Sequence, residues 1–246
     1  MGQWLVICLK APLASFGENA GNAERGTSDM PTRSALIGLA GAALGIERTD
    51  AAGQARLAHS LVTAAALYQR GHPLADFHTY QSLHQSAKGA ATRAAALERK
   101  DYLETSISRR HYRAGGVWQA AYRLSNAADD FSLAGLASAF DAPRFVLYLG
   151  RKSCPPSHPL APRLIEGETV VDAFRAHFDI VSATFGEALS LKAVSVEVRR
   201  DGPASNRPRA LLRQDDPRDR TKRWTFGQRQ EWRFAIGPDA GGGGDE

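Results

Sequence analysis

The sequence predicts an α+β fold: a ferredoxin-like palm with an inserted thumb-like arm and a C-terminal extension that contains strands. Three observations carry that prediction. Up to residue 160, stretches of strand and helix character follow one another as strand, helix, strand, strand, helix, strand, the β-α-β-β-α-β plan. A polar, Ala-rich and basic segment over 78–110 interrupts that order between the second and third strands. Past residue 160 come a further helix and more strand-like alternation. With 246 residues, of which 43% are hydrophobic and 23% charged, the chain is long and apolar enough to bury a sizeable core.

Residues 3–9, QWLVICL, are apolar at both alternating sets of positions, as in a central strand covered on two sides. Cys8 falls inside it, where a buried free thiol is the plain reading. Residues 11–30 form a long polar loop. In PTRSALIGLAGAALG, 31–45, Leu36, Leu39, Ala40, Ala43 and Leu44 recur at helical spacing. Thr32 or Ser34 caps the start of that helix and Gly45 stops it. SLVTAAALYQR, 60–70, reads as the second strand, and AATRAAALERK within the arm as a short helix. Trp118, Ala120, Tyr122 and Leu124 share one face of a half-buried strand over 117–124. A helix over 130–140 presents Leu133, Leu136, Ala137 and Phe140, and RFVLYL, 144–149, makes the fourth palm strand. Val171, Phe174 and Phe178 mark a helix over 168–178. Val194, Val196 and Val198 alternate as a strand, and so do Trp232, Phe234 and Ile236. PDAGGGGDE is a flexible tail. The predicted units are a palm over 1–77 and 111–160, an arm over 78–110, an extension over 161–238 packed on the palm, and a tail over 239–246.

Several function classes fall away at once. No run of about 18 apolar residues exists, so no membrane-spanning helix is expected. MGQWLVICLK lacks the basic start and cleavage site of a signal peptide, and a cytoplasmic location follows as the expectation. Cys8 and Cys154 cannot build a disulfide framework or a four-cysteine zinc site. His78 and His84 have no cysteine near them, a poor zinc signal, and no metal or cofactor is expected. HExxH, GxSxG and P-loop motifs are missing.

Charge is uneven. The whole chain carries +5, yet residues 199–233 alone hold eleven Lys/Arg against five acids. The stretch 84–113 holds seven against three. Two basic regions on a small sheet fold suit a nucleic-acid backbone, or else a solvated surface. SRRHYRAGG, 108–116, mixes Arg109, Arg110 and Arg113 with His111 and Tyr112. Cations that grip phosphates beside a ring that stacks on a base are the single-stranded RNA arrangement; the alternative is a β-ribbon with a polar face. Arg33 lies in the first turn of a helix, where a phosphate can meet free N–H groups, or where a cap is followed by a solvent-facing arginine. His111, Tyr112 and Lys152 have the chemistry for metal-free RNA cleavage, but seven scattered histidines make such triples easy to assemble by chance. LYLGRKSCPPSHPL, 147–160, leaves the predicted fourth strand. There Gly150 frees the backbone, three prolines stiffen the chain, and Cys154 and His158 read as structural.

Four motifs, in order and at near-equal spacing, resemble one family. MPTRSALIGLAGAALGI, 30–46, is similar to its FPTRSxLxGLxGxxLGI; DFHT, 76–79, to DYHT; YLGRKSCPPSHPL, 148–160, to YLGRRSCPxxHPL; and LKAPLASFG, 9–17, to LxGPxxxWG. They resemble the CasD-type subunits of the type I-E CRISPR surveillance complex, Cascade, the fifth Cas group of the RAMP superfamily. Ala11 stands where the family has glycine, and Phe16 where tryptophan is common. The resemblance spans about the first 160 residues. It implies a RAMP-type palm with a projecting thumb, here 78–110, and a subunit that holds the 5′ handle of the CRISPR RNA (crRNA). The implied partners are the Cascade backbone subunits and the large PAM-reading subunit, with target DNA met indirectly and no membrane. The expected RNA-binding set is Arg25, Arg33, Ser34, Arg109, Arg110, Tyr112, Tyr148, Arg151, Lys152 and Ser153. Within it Arg33, Arg151 and Lys152 hold phosphates, Tyr112 and Tyr148 stack on handle bases, and Arg109 and Arg110 touch RNA or a backbone subunit. No catalytic role is expected, because a separate RAMP endonuclease cuts the precursor in type I-E systems. The related type I-C subunit does cut, so the alternative is a metal-independent endoribonuclease of repeat RNA. A plain protein-interaction module is the third reading.

Overall fold

The computed structural model describes residues 2–17, 23–85, 89–125, 131–184, 188–204, 207–219 and 225–237. The tail expected over 239–246 lies outside them, as do Lys88, Arg220, Lys222 and Arg223 of the two basic regions. In chain order, β1 (Gly2–Ala14), β2 (Phe16–Gly17), β3 (Glu24–Arg25) and β4 (Thr27–Ser28) precede α1 (Arg33–Leu44) and α2 (Ala51–Ser60). Next come β5 (Leu61–Gln69), β6 (His72–Leu83), α3 (Arg93–Glu98), β7 (Leu103–Leu124) and α4 (Leu133–Asp141). The chain ends with β8 (Arg163–Gly167), α5 (Val170–Val181), β9 (Ala193–Val196), β10 (Arg209–Asp219) and β11 (Thr225–Ala235).

Among the described residues, nine strands form one largely antiparallel sheet, in the order β10-β11-β9-β5-β7-β1-β8, with β3 and β6 paired to the outer half of β7. β1 is interior, between β7 and β8, as its two-sided apolar pattern requires. Leu5, Ile7 and Leu9 face the core that α1 and α4 cover; Trp4, Val6 and Cys8 face the one that α5 covers. Burial pushes the Cys8 thiol up to about 12, so it stays protonated and inert. Val117–Tyr122 of β7 is buried on both faces, because α1 and α4 lie on one side and α5 on the other. That corrects the half-buried expectation. Burying rings such as Phe174 and Trp118 contributes roughly 1.5–3 kcal/mol each or more.

The helix ends follow their sequence signals. Gly45 closes α1 in the left-handed region, at φ 75°. Thr32 occupies the N-cap position, yet its hydroxyl makes no capping bond. Thr169 and Asp172 form a capping box on α5. The sequence reading contains no counterpart to α2, whose AAGQARLAHS lacks a continuous apolar stripe. Asp50 caps it by accepting from the Gly53 N–H at 2.8 Å, and Leu57 is its buried anchor.

Two boundaries differ from expectation. The arm is a long hairpin that pairs from His72↔Ala114 to Leu83↔Leu103, so it starts before residue 78, with α3 near its tip. Residues 144–149 are not a strand. The Arg144 and Phe145 N–H groups donate to the Ala43 and Ala42 carbonyls at the end of α1, at 3.0 and 3.1 Å. With those donors spent on the helix, the segment runs as an irregular strap. β8, beyond the predicted palm boundary, takes the edge of β1 instead. No described helix is long and apolar enough to cross a membrane.

Candidate nucleic-acid interface

Three separate stretches meet where the arm leaves the sheet. β1 runs out at Ala14, and the Ser15 N–H donates to the Leu149 carbonyl at 3.0 Å while its hydroxyl donates to the His111 carbonyl at 3.0 Å. Gly150 sits against this crossing at φ 86°; a Cβ there would stand 1.8 Å from the Ser15 carbonyl oxygen, so only glycine fits. Phe16 packs edge-on to Trp118 at 5.1 Å, and the Trp118 indole N–H donates to the Asp29 carbonyl at 2.8 Å. The LKAPLASFG and YLGRKSC motifs are thereby fixed to the root of the arm.

Strand alternation sorts the arm-root side chains onto two faces. β3 lies parallel to β7 with Glu24↔Arg109 and Arg25↔Arg110 in register, and β6 lies on the other side with Phe77↔Arg109 and Asp76↔Arg110. One face carries Arg109, His111 and Arg113. Here Arg109 lies over the exposed Phe77 ring at 5.2 Å and the His111 imidazole pairs with Glu24 at 2.9 Å. The opposite face carries Ser108, Arg110 and Tyr112. Onto it folds Arg151, its guanidinium 4.6 Å from the Tyr112 ring centroid and its Nη2 donating to the Arg25 carbonyl at 3.1 Å. Arg110 Nε, Arg151 Nη1 and Ser108 Oγ are buried, and none has a hydrogen-bond partner among the described residues. Buried donors without acceptors are costly, and a cluster of them on cationic side chains fits an anion such as a phosphate oxygen. Arg113 Nε is in the same condition on the opposite face.

Several expected roles are corrected. Arg33 is 8% exposed and holds no open phosphate seat. Its backbone N–H donates to Asp215 at 2.8 Å, and its guanidinium reaches Glu197 at 2.6 Å, Asp216 at 3.2 Å, and the Ala58 and Leu61 carbonyls. A carboxylate of the extension thus occupies the helix start. The network continues through Arg229, which forks onto Asp215 at 2.7 and 2.9 Å and reaches Glu231 at 2.8 Å. Burial opposes its charge, but these carboxylates prevail and raise the Arg229 pKa. Much of the basic C-terminal stretch is therefore internally paired. Tyr112, 6% exposed beneath Arg151, is not open for a base to stack on.

The other expected residues divide between two places. Arg25 is exposed at the arm root, Arg109 and Arg110 point to opposite faces of the ribbon, and Ser153 is exposed on the turn after Arg151. Ser34, whose hydroxyl is 3.2 Å from that of Thr32, lines a cleft of about 280 Å³ along α1 together with Tyr148 and Gly150. Tyr148 and Lys152 line an adjoining cleft of about 680 Å³. His111 and Tyr112 face opposite ways and do not converge into the catalytic triple considered from sequence. Cys154 is buried, and burial raises its thiol pKa, which fits packing and not nucleophilic chemistry. Among the described residues no cluster of ligating side chains forms a metal site. Sequence reasoning missed Ser108, though its alternation with Arg110 and Tyr112 was there to find. It also missed the carboxylates that claim Arg33, for which no local signal exists.

A family model described as CRISPR-associated protein (Cas_Cas5) matches residues 4–231. The curated "CRISPR system Cascade subunit CasD" of Escherichia coli (strain K12) is 30% identical over 168 residues, 65% of this chain and 70% of that protein. A chain of a solved "CRISPR RNA-guided surveillance complex" superposes with a TM-score of 0.62 at 23% identity, over 94% of this chain and 89% of that one. A "Crystal structure of Cas protein" gives 0.57 at 22% identity over 94% of both chains. These two likenesses show that the fold is shared.

Proposed function

Since this chain belongs to the CRISPR-associated Cas5 family, we propose that it is a crRNA-binding subunit of a Cascade-type complex in antiviral defence, and that the arm root holds the RNA 5′ handle. The observation that carries the reading is the set of buried, unanswered donors on Ser108, Arg110 and Arg151, next to the exposed Arg25, where two of the family's motifs cross. Phosphates of the handle satisfy those donors; the exposed Arg109–Phe77 pair on the opposite face meets further RNA or a backbone subunit. We read the β5-β7-β1-β8 part of the sheet, with α1 and α4 on one face, as the ferredoxin-like palm, and the β6–β7 hairpin as the thumb. The subunit caps the backbone beside the large subunit and has no catalytic role of its own.

The deciding experiment is a gel shift of the purified chain on its own repeat-derived handle RNA. Reversing Arg110 and Arg151 together to glutamate abolishes handle binding on this reading; an unchanged affinity overturns it. Incubation with the full repeat transcript in EDTA leaves the RNA intact. A discrete cut at the handle boundary instead establishes the endoribonuclease.

A further inference from the structure

The strap that replaces the expected fourth strand leaves an apolar surface unused by the RNA reading. Phe145 is 45% exposed, Val146 82% and Tyr148 37%, while Leu147 between them and Leu149 just after them are buried in the core. Single exposed apolar residues are ordinary, but three within four positions along one wall of a cleft form a patch. The opposite wall is α1, at Gly38, Gly41 and Ala42, with Ile46 at its end. The volume enclosed, about 680 Å³, is that of a site for a large side chain and its neighbours. The wall is held in place: Phe145 N–H to Ala42 at 3.1 Å and Arg144 N–H to Ala43 at 3.0 Å anchor one end, and Leu149 N–H to Cys154 at 2.7 Å anchors the other. The patch is therefore presented by fixed backbone, which lowers the entropy cost of docking.

The charged residues lining the cleft are of one sign. Arg48, Lys152 and the neutral Gln54 line it, and no acidic side chain does so among the described residues. We infer that this cleft is the docking site of a neighbouring protein subunit, which inserts an apolar anchor side chain flanked by acidic residues. Val146, the most exposed side chain of the patch, and Ile46 are aliphatic and match the desolvated centre of a protein interface, with Arg48, Lys152 and Gln54 as its polar rim. The unanswered donors that suit phosphate lie at the arm root, against Arg151. The inference rests on the reading of this chain as a subunit of a Cascade-type complex, and not on the handle site.

Its test uses the full chain expressed with the other subunits encoded beside it and their guide RNA. A benzophenone amino acid at position 146 is photo-crosslinked and the product sequenced by mass spectrometry. The expected product is a peptide of another subunit that carries a leucine, isoleucine, methionine or phenylalanine next to Asp or Glu. Val146→Glu lowers co-recovery with that subunit by about tenfold, and Arg48→Glu, at the other cation lining the cleft, lowers it independently. Both variants keep handle RNA affinity within about twofold, so failure of the RNA reading registers separately. Crosslinking to RNA, crosslinking to a second copy of this chain, or wild-type assembly of both variants overturns the inference.

Discussion

The Arg151 guanidinium lies over the Tyr112 ring, 4.6 Å from its centroid, and joins the exit loop of the strap to the root of the arm. The pair fixes the cation that reaches the proposed phosphate site, and it makes Tyr112 a support and not a stacking platform. Tyr112→Phe therefore leaves handle affinity within about twofold, since the ring that carries Arg151 remains. Tyr112→Ala destabilises the fold by about 3–5 kcal/mol, as for truncation of a buried aromatic. A gel shift and a thermal melt check the two outcomes. A large affinity loss in Tyr112→Phe at unchanged melting temperature would restore a direct role for the hydroxyl.

Salt dependence gives the number of phosphates held. Each phosphate neutralised on a single strand contributes a slope of about −0.7 in log affinity against log salt. Arg110→Ala and Arg151→Ala are each expected to reduce the slope by about that amount, when affinities are measured across roughly 50–200 mM salt. Arg33→Gln leaves the slope unchanged, because its guanidinium is held inside the protein.

Arg33 acts on stability. Removing one partner of a buried ion network strands the charges left behind, at a cost of about 3–5 kcal/mol. Arg33→Ala leaves Glu197 and Asp216 without that partner. The expected readouts are a lowered denaturation midpoint and faster proteolysis of the β10–β11 hairpin. The folded fraction binds RNA as the wild type does.

His177 makes stability pH-dependent. It is fully buried in the second core, where Nδ1 accepts from the Gln119 amide and Nε2 donates to the Ala161 carbonyl, both at 2.7 Å. Burial lowers its pKa, so the folded state keeps it neutral while the unfolded chain takes up a proton below the ordinary value of 6.5. Its contribution is complete above pH 6.5 and is lost as pH falls towards the depressed folded value. Melting temperatures at pH 7.5 and 5 are expected to differ less in His177→Gln than in the wild type. An equal difference would assign the acid sensitivity to other groups.

Much of the fold was legible because burial imposes local period. The two-sided apolar run over 3–9 made β1 an interior strand, the spacing over 31–45 with Gly45 delimited α1, and Phe174 and Phe178 placed α5 on a core. Residues 144–149 misled for the same reason. Leu147 and Leu149 alternate as a strand would, but their segment bonds to the end of α1, and backbone partners leave no mark on side-chain pattern.

The sequence by itself determined the family, the strand and helix periods, and the arginines gathered near the arm root. Those are properties of residue type at fixed spacing along one chain. Only the tertiary structure decided which cations are available to a partner. Arg33 and Arg151 both sit in family motifs, yet Asp215, 182 positions further along the chain, accepts from the Arg33 N–H, with Asp216 and Glu197 on its guanidinium. Arg151 meets a tyrosine ring and keeps one N–H unanswered. A cation's role depends on whether an acceptor reaches it, and that depends on chain folding across the whole sheet, which no local window of sequence contains.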